Sequence, residues 1–96
     1  MYDDYRHLIR EHVFDKCWQL DITWAELDVL IDNGQVIESH DLGEAGLKEI
    51  RLLLEWKLPL HLVYVVNERK QLVIYRTVYV PDAAHWQPGY RERRRP

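Results

Sequence analysis

Two extended runs lie between Pro59 and Asp82, split by a short polar segment, and together they demand a sheet. The β-branched residues Val63, Val65, Val66, Val73, Ile74 and Val78, with Tyr64, Tyr75 and Tyr79, suit a pleated, half-buried surface. Asn67-Glu68-Arg69-Lys70-Gln71 is charged and free of apolar residues, which marks a hairpin loop even without glycine. Pairing Val66 with Leu72 sets His61 opposite Thr77. Alternation then gathers His61, Val63, Val65, Val73, Tyr75, Thr77 and Tyr79 on one face. Leu62, Tyr64, Val66, Leu72, Ile74, Arg76 and Val78 take the other face, which reads as the core side apart from Arg76. Pro81 lacks a backbone donor, so the second strand should stop near Val80.

The N-terminal half reads as helical. Asp3 to Trp18 starts with two aspartates that favour a helix N-terminus. Tyr5, Leu8, Ile9, His12, Val13 and Cys17 form one stripe at helical spacing. Phe14 and Trp18 make a second ridge, which must be wedged between layers or meet another chain. Thr23 and Glu26 form a capping box for a second helix from Trp24 to about Asp32. Asn33-Gly34 ends it, glycine being suited to a left-handed cap. Gln35 to Leu42 reads as a short strand and Gly43 to Gly46 as a turn. Leu47 to Trp56 fits a helix or a strand. The strand is chosen because Pro59 and the hairpin follow at once; Ile50, Leu52, Leu54 and Trp56 then share one side, with Glu49, Arg51 and Glu55 on the other. The expected architecture is α+β: two N-terminal helices packed on a four-stranded antiparallel sheet whose other face is partly open.

The 96 residues suit a single domain spanning 1–96, with a basic C-terminal tail from about 88. No apolar run approaches the roughly 20 residues needed to cross a bilayer, so no membrane partner is expected. The N-terminus is acidic where a signal peptide would be basic. Cys17 is the only cysteine, which excludes an intrachain disulfide and a thiolate zinc cluster. A cytoplasmic location is the default. Net charge is −3, but Arg91, Arg93, Arg94 and Arg95 against Glu92 give the tail +3, leaving −6 on the preceding 90 residues. Such a body is not a general polyanion binder.

His61, Thr77, Tyr79 and Arg76 are the first candidates for chemistry. Attack of a 2′-hydroxyl on its phosphate needs a base, an acid and a cation. His61 can transfer protons near neutrality, and Arg76 or the tail can stabilise the charge. The plain alternative is a cross-strand pair on a half-exposed face. His12, with Lys16 one turn later, either reaches over the sheet towards His61 or sits satisfied in the core. Trp86, Arg91, Arg93 and Arg94, with Tyr90, interleave aromatic and basic groups that can stack bases and hold phosphates; alternatively Trp86 packs the tail onto the domain. The five histidines show no metal-ligand spacing, and no metal or cofactor is expected.

Val36-Ile37-Glu38 after Gly34, Pro59-Leu60-His61-Leu62-Val63, Thr77-Val78-Tyr79-Val80-Pro81-Asp82, Trp86 and Tyr90-Arg91-Glu92-Arg93-Arg94 resemble a bacterial family of small proteins known only as a domain of unknown function. His12 and Lys16 match that family's histidine and basic residue on the first helix. Val80 stands where the family has glutamate, and Leu62 where it has valine. The family is similar to the RelE and BrnT toxins, small α+β ribonucleases neutralised by an antitoxin protein. The resemblance implies a toxin-antitoxin role, with RNA and an antitoxin as partners and an endoribonuclease activity. The alternative is a non-catalytic interaction module or a homodimer through Phe14 and Trp18.

Overall fold

The hairpin forms, and its alignment decides which side chains meet. In the structure, a computed structural model describing residues 1–95, β4 (Leu60–Asn67) runs antiparallel to β5 (Leu72–Tyr79). Asn67 pairs with Leu72, leaving Glu68–Gln71 as the loop. The Asn67 Oδ1 accepts the Lys70 N–H at 3.0 Å, and Gln71 takes the left-handed conformation, φ 49°, that a glycine would otherwise supply. Val66 therefore faces Val73, one residue away from the expected alignment. A bulge at Arg76 then adds a second one-residue shift, so Val63 faces Thr77 and His61 faces Tyr79. Two slips of one residue restore parity. Thr77 and Tyr79 share the face of His61, whereas Val73 and Tyr75 turn to the opposite side.

The sheet is wider than expected. β3 (Leu47–Leu53) pairs with β4, and β2 (Gln35–Asp41) pairs with β3; a 3-10 turn, Gly43–Ala45, joins them. On the other side, β1 (Arg6–Ile9) pairs in parallel with β5. The order β1-β5-β4-β3-β2 is a five-stranded mixed sheet, which corrects the four-stranded antiparallel one. It also corrects the single helix over Asp3–Trp18. Residues 6–9 are short enough to fit either period, and pairing satisfies the edge of β5 that would otherwise be open. As a strand they turn His7 and Ile9 to the same side, where His7 bonds Tyr75 and Ile9 packs against the core. Arg10 is extended at φ −68°, ψ 149°, and α1 (Glu11–Leu20) starts after it.

α2 (Trp24–Ile31) has its capping box: Thr23 accepts from the Glu26 N–H at 3.1 Å, and the Glu26 carboxylate accepts from the Thr23 N–H at 3.3 Å. Gly34 follows for a reason other than a left-handed cap. A Cβ there would clash with the side chains of Leu53 and Arg51, so glycine lets the chain pass close to β3. Arg51 answers by donating to the carbonyls of Ile31 and Gly34 at 3.3 and 3.2 Å.

Both helices lie on one face of the sheet. Val13, Cys17, Leu27 and Ile31 meet Leu62, Tyr64, Val66, Val73, Tyr75 and Val78 in the main core. Glu49, Arg51 and Tyr64 form a satisfied polar network within that side: the Glu49 carboxylate accepts from the hydroxyls of Tyr64 at 3.0 Å and Tyr2 at 3.1 Å. The opposite face is not open. The tail from Pro81 folds back over it, and Trp86 packs there on Ile50 and Val63. Among the described residues no helix is long and apolar enough to cross a membrane.

Candidate functional site

The candidate residues fall into separate places. His61 lies on β4 under the folded-back tail and is fully buried. Its Nε2 is 2.8 Å from the Tyr90 carbonyl, and its Nδ1 is 3.2 Å from the Tyr79 hydroxyl. A carbonyl can only accept, so Nε2 carries the hydrogen and Nδ1 accepts from Tyr79. The Trp86 ring stands edge-on to the imidazole, centroids 4.3 Å apart. Burial lowers the His61 pKa, with the Tyr90 carbonyl opposing it. Burial likewise raises that of Tyr79. This imidazole is neutral, fixed in one tautomer and closed to solvent.

His12 and Thr77 meet elsewhere. β1 ends at Ile9, and α1 then takes its place beside the last part of β5, which puts the His12 Nε2 3.1 Å from the Thr77 Oγ1. His12 is exposed, as is Arg76 at the bulge next to Thr77; Lys16 follows one turn along α1 and is half-buried. His12 thus reaches Thr77, and not His61.

The tail is held by its own arginines. Arg93 donates to the Glu38 carboxylate at 2.7 Å and lies over the Trp86 ring, 4.7 Å from its centroid. Burial alone would raise the Glu38 pKa, but hydrogen bonds from Arg93 and His40 outweigh it and leave the carboxyl lowered. Arg91 donates twice to Gln35, and Arg94 to the Ala83 carbonyl. Trp86 is 3% exposed and so has no face to offer a base. These arginines and Trp86 are engaged in closing the fold, which is the alternative reading of the pattern, Trp86 packing the tail onto the domain.

The ridge on α1 stands free of the core. Trp18 is 87% exposed and Phe14, one turn before it, 48%. A cavity of about 360 Å³ between α2 and β1 was not anticipated. Met1, Asp3, His7, Trp24, Asp28 and Asp32 line it with Tyr75, and the Met1 ammonium pairs there with Asp3 at 3.1 Å and with Asp32 at 2.8 Å. Reading residues 6–9 as helix hid it, because only the strand turns His7 towards Tyr75, 2.8 Å away.

The chain matches no protein-family model, no curated protein and no solved structure. Among the described residues no cluster of three or more histidine, cysteine, aspartate or glutamate side chains is placed to hold a metal ion. Among the described residues the geometry offers the sealed imidazole of His61, the exposed His12–Thr77 pair, the His7–Tyr75 pair at the cavity and the aromatic ridge of α1.

Proposed function

We propose that this protein is a non-catalytic interaction module that docks a partner protein through Phe14 and Trp18. The exposure of Trp18 carries the reading. Tryptophan is large and usually well covered, and it is enriched among the anchors of protein interfaces. Glu11, Asp15 and Asp21 flank the ridge and are exposed, so the complementary surface is an apolar groove with a basic rim. A second copy would bring the same acidic flank against itself, which favours a different protein over a homodimer. An antitoxin-like partner and a cytoplasmic location belong to this proposal. The test is co-purification with the product of the adjacent reading frame, with light scattering of the chain alone. Loss of a complex on Trp18→Ser supports the proposal, and equal binding by the variant overturns it. A wild-type dimer that Trp18→Ser dissolves would make the occupant a second copy.

A second reading has its own observation, the exposed His12–Thr77 pair beside Arg76. In a RelE-like toxin acting as an endoribonuclease, His12 would transfer the proton and Arg76 would face the phosphate, with Lys16 as a further cation. His61 and Tyr79 would have no direct part, because the tail seals them. Expression should then arrest growth, with relief by His12→Ala. A harmless wild type, or arrest unchanged in that variant, removes the reading.

A further inference from the structure

We infer that Pro81–Arg95 is a reversible cover on one face of the sheet, and that protonation of the His61 imidazole beneath it releases the cover. The segment is built to leave as a unit. Its own backbone bonds close it on itself: Gln87 N–H to the Glu92 carbonyl at 2.7 Å, Arg94 N–H to the His85 carbonyl at 2.8 Å, Tyr90 N–H to the Gln87 carbonyl at 2.9 Å. It holds the sheet by side chains instead of a strand ladder, through Trp86, the Arg93–Glu38 pair and the Arg91–Gln35 bonds. The Arg93 side chain is 57% exposed, so solvent weakens that pair. Few apolar contacts and exposed polar ones mark a segment that opens before the rest of a fold.

His61 sits where the cover is fastened. It is the buried polar group that joins the sheet to the cover's backbone, through Nε2–H to the Tyr90 carbonyl. Tyr90 presents that carbonyl from a left-handed conformation, φ 60°, which side chains other than glycine rarely adopt. An added proton goes to Nδ1, where the Tyr79 hydroxyl must turn from donor to acceptor, and a full charge then sits in a site closed to water.

The groups around the imidazole do not neutralise that charge. Arg93 of the cover repels it. Glu38 of β2, bonded to Arg93 and His40, attracts it more than Arg93 repels it, but burial outweighs that attraction. β3 offers Leu52 opposite His61, β5 offers the Tyr79 phenol, and the cover's His85 is turned to Asp82 at 2.8 Å. An exposed His61 takes its proton at about the usual value of 6.5, while the covered one is shifted below it. The covered state thus loses ground as pH falls through 6.5, and the loss stops growing below the lowered value. Release exposes Ile37, Ile50, Val63 and Tyr79.

Hydrogen exchange of the whole protein at pH 7.5 and 5.5, corrected for the intrinsic pH dependence of exchange, tests this. Residues 81–95 should open more by up to about tenfold per pH unit below 6.5, while residues 60–79 stay protected. His61→Phe should remove the acid response, and His40→Gln and His85→Gln should keep it. Should the phenylalanine variant not fold, NMR titration of the wild-type His61 ring decides. Unchanged protection of 81–95, an acid response that survives in His61→Phe or vanishes with His40→Gln or His85→Gln, or a ring that titrates at 6.5 or above under a closed cover would each overturn the inference.

Discussion

The two faces of the sheet are closed by different means. One is covered by α1 and α2, which bury a core of thirteen residues; the other by a segment without regular structure, whose buried cluster is Ile50, Val63 and Trp86. Each fully buried aliphatic side chain contributes roughly 1.5–3 kcal/mol, so the helix side carries most of the stability. The thin side compensates with polar fastening, Arg93 to Glu38 and His61 to Tyr90. A face closed by apolar bulk is insensitive to pH near neutrality. One closed over an imidazole is not, and that is the lesson of the contrast.

The largest effect should come from the helix side. Leu62 is fully buried there, and Leu62→Ala removes core volume that two packed helices cannot refill. A loss of about 2–5 kcal/mol is expected in urea unfolding, shared by every probe of the fold. Trp86→Ala should act locally instead. The cover can detach rather than leave a void, so the loss is about 1–2 kcal/mol, within the range of ordinary substitutions. Proteolysis should then cut within 81–95 while the sheet persists. If Trp86→Ala unfolds the protein as Leu62→Ala does, the two faces are not distinct.

Glu38→Gln sharpens the contrast further. The Arg93 bond holds the carboxyl below its usual 4.5, so the charged form supports the cover above that value. That support fades as pH falls through the lowered pKa. The substitution should weaken the cover by about 0.2–1 kcal/mol at pH 7, as partly exposed ion pairs do. It should also remove any acid loosening below 4.5, read by exchange of residues 81–95, while leaving the His61 step at higher pH.

Particular residues show what sequence could and could not give. The α2 capping box was legible because its bonds are three residues apart. The hairpin was legible from its β-branched runs. Its alignment was not, since the Arg76 bulge answers to packing on both faces and leaves no composition mark. Thr77 and Tyr79 landed on the expected face only because the turn and the bulge each shift the pairing by one. β1 was hidden because RHLI suits two periods, and a partner 60-odd residues away decides between them. The sealing of His61 was equally out of reach. Packing of the tail by Trp86 was one reading of its pattern, but Glu38 and Gln35 as partners of the arginines lie too far away in sequence to be read.

The smallest effect on stability is expected at the ridge of α1, and there function should change most. Trp18 touches little of its own chain, so Trp18→Ser should move the unfolding free energy by no more than about 0.5 kcal/mol. Removing a central tryptophan from an interface typically costs 2 kcal/mol or more, about thirtyfold in affinity. A stability probe and a binding probe on this one variant must therefore disagree if the ridge is a docking surface. Calorimetric unfolding and partner titration of the same sample give both. Should Trp18→Ser lower stability by several kcal/mol, the ring is supporting α1 against the sheet, and the helix layer closes its face with one more apolar side chain than its burial implies.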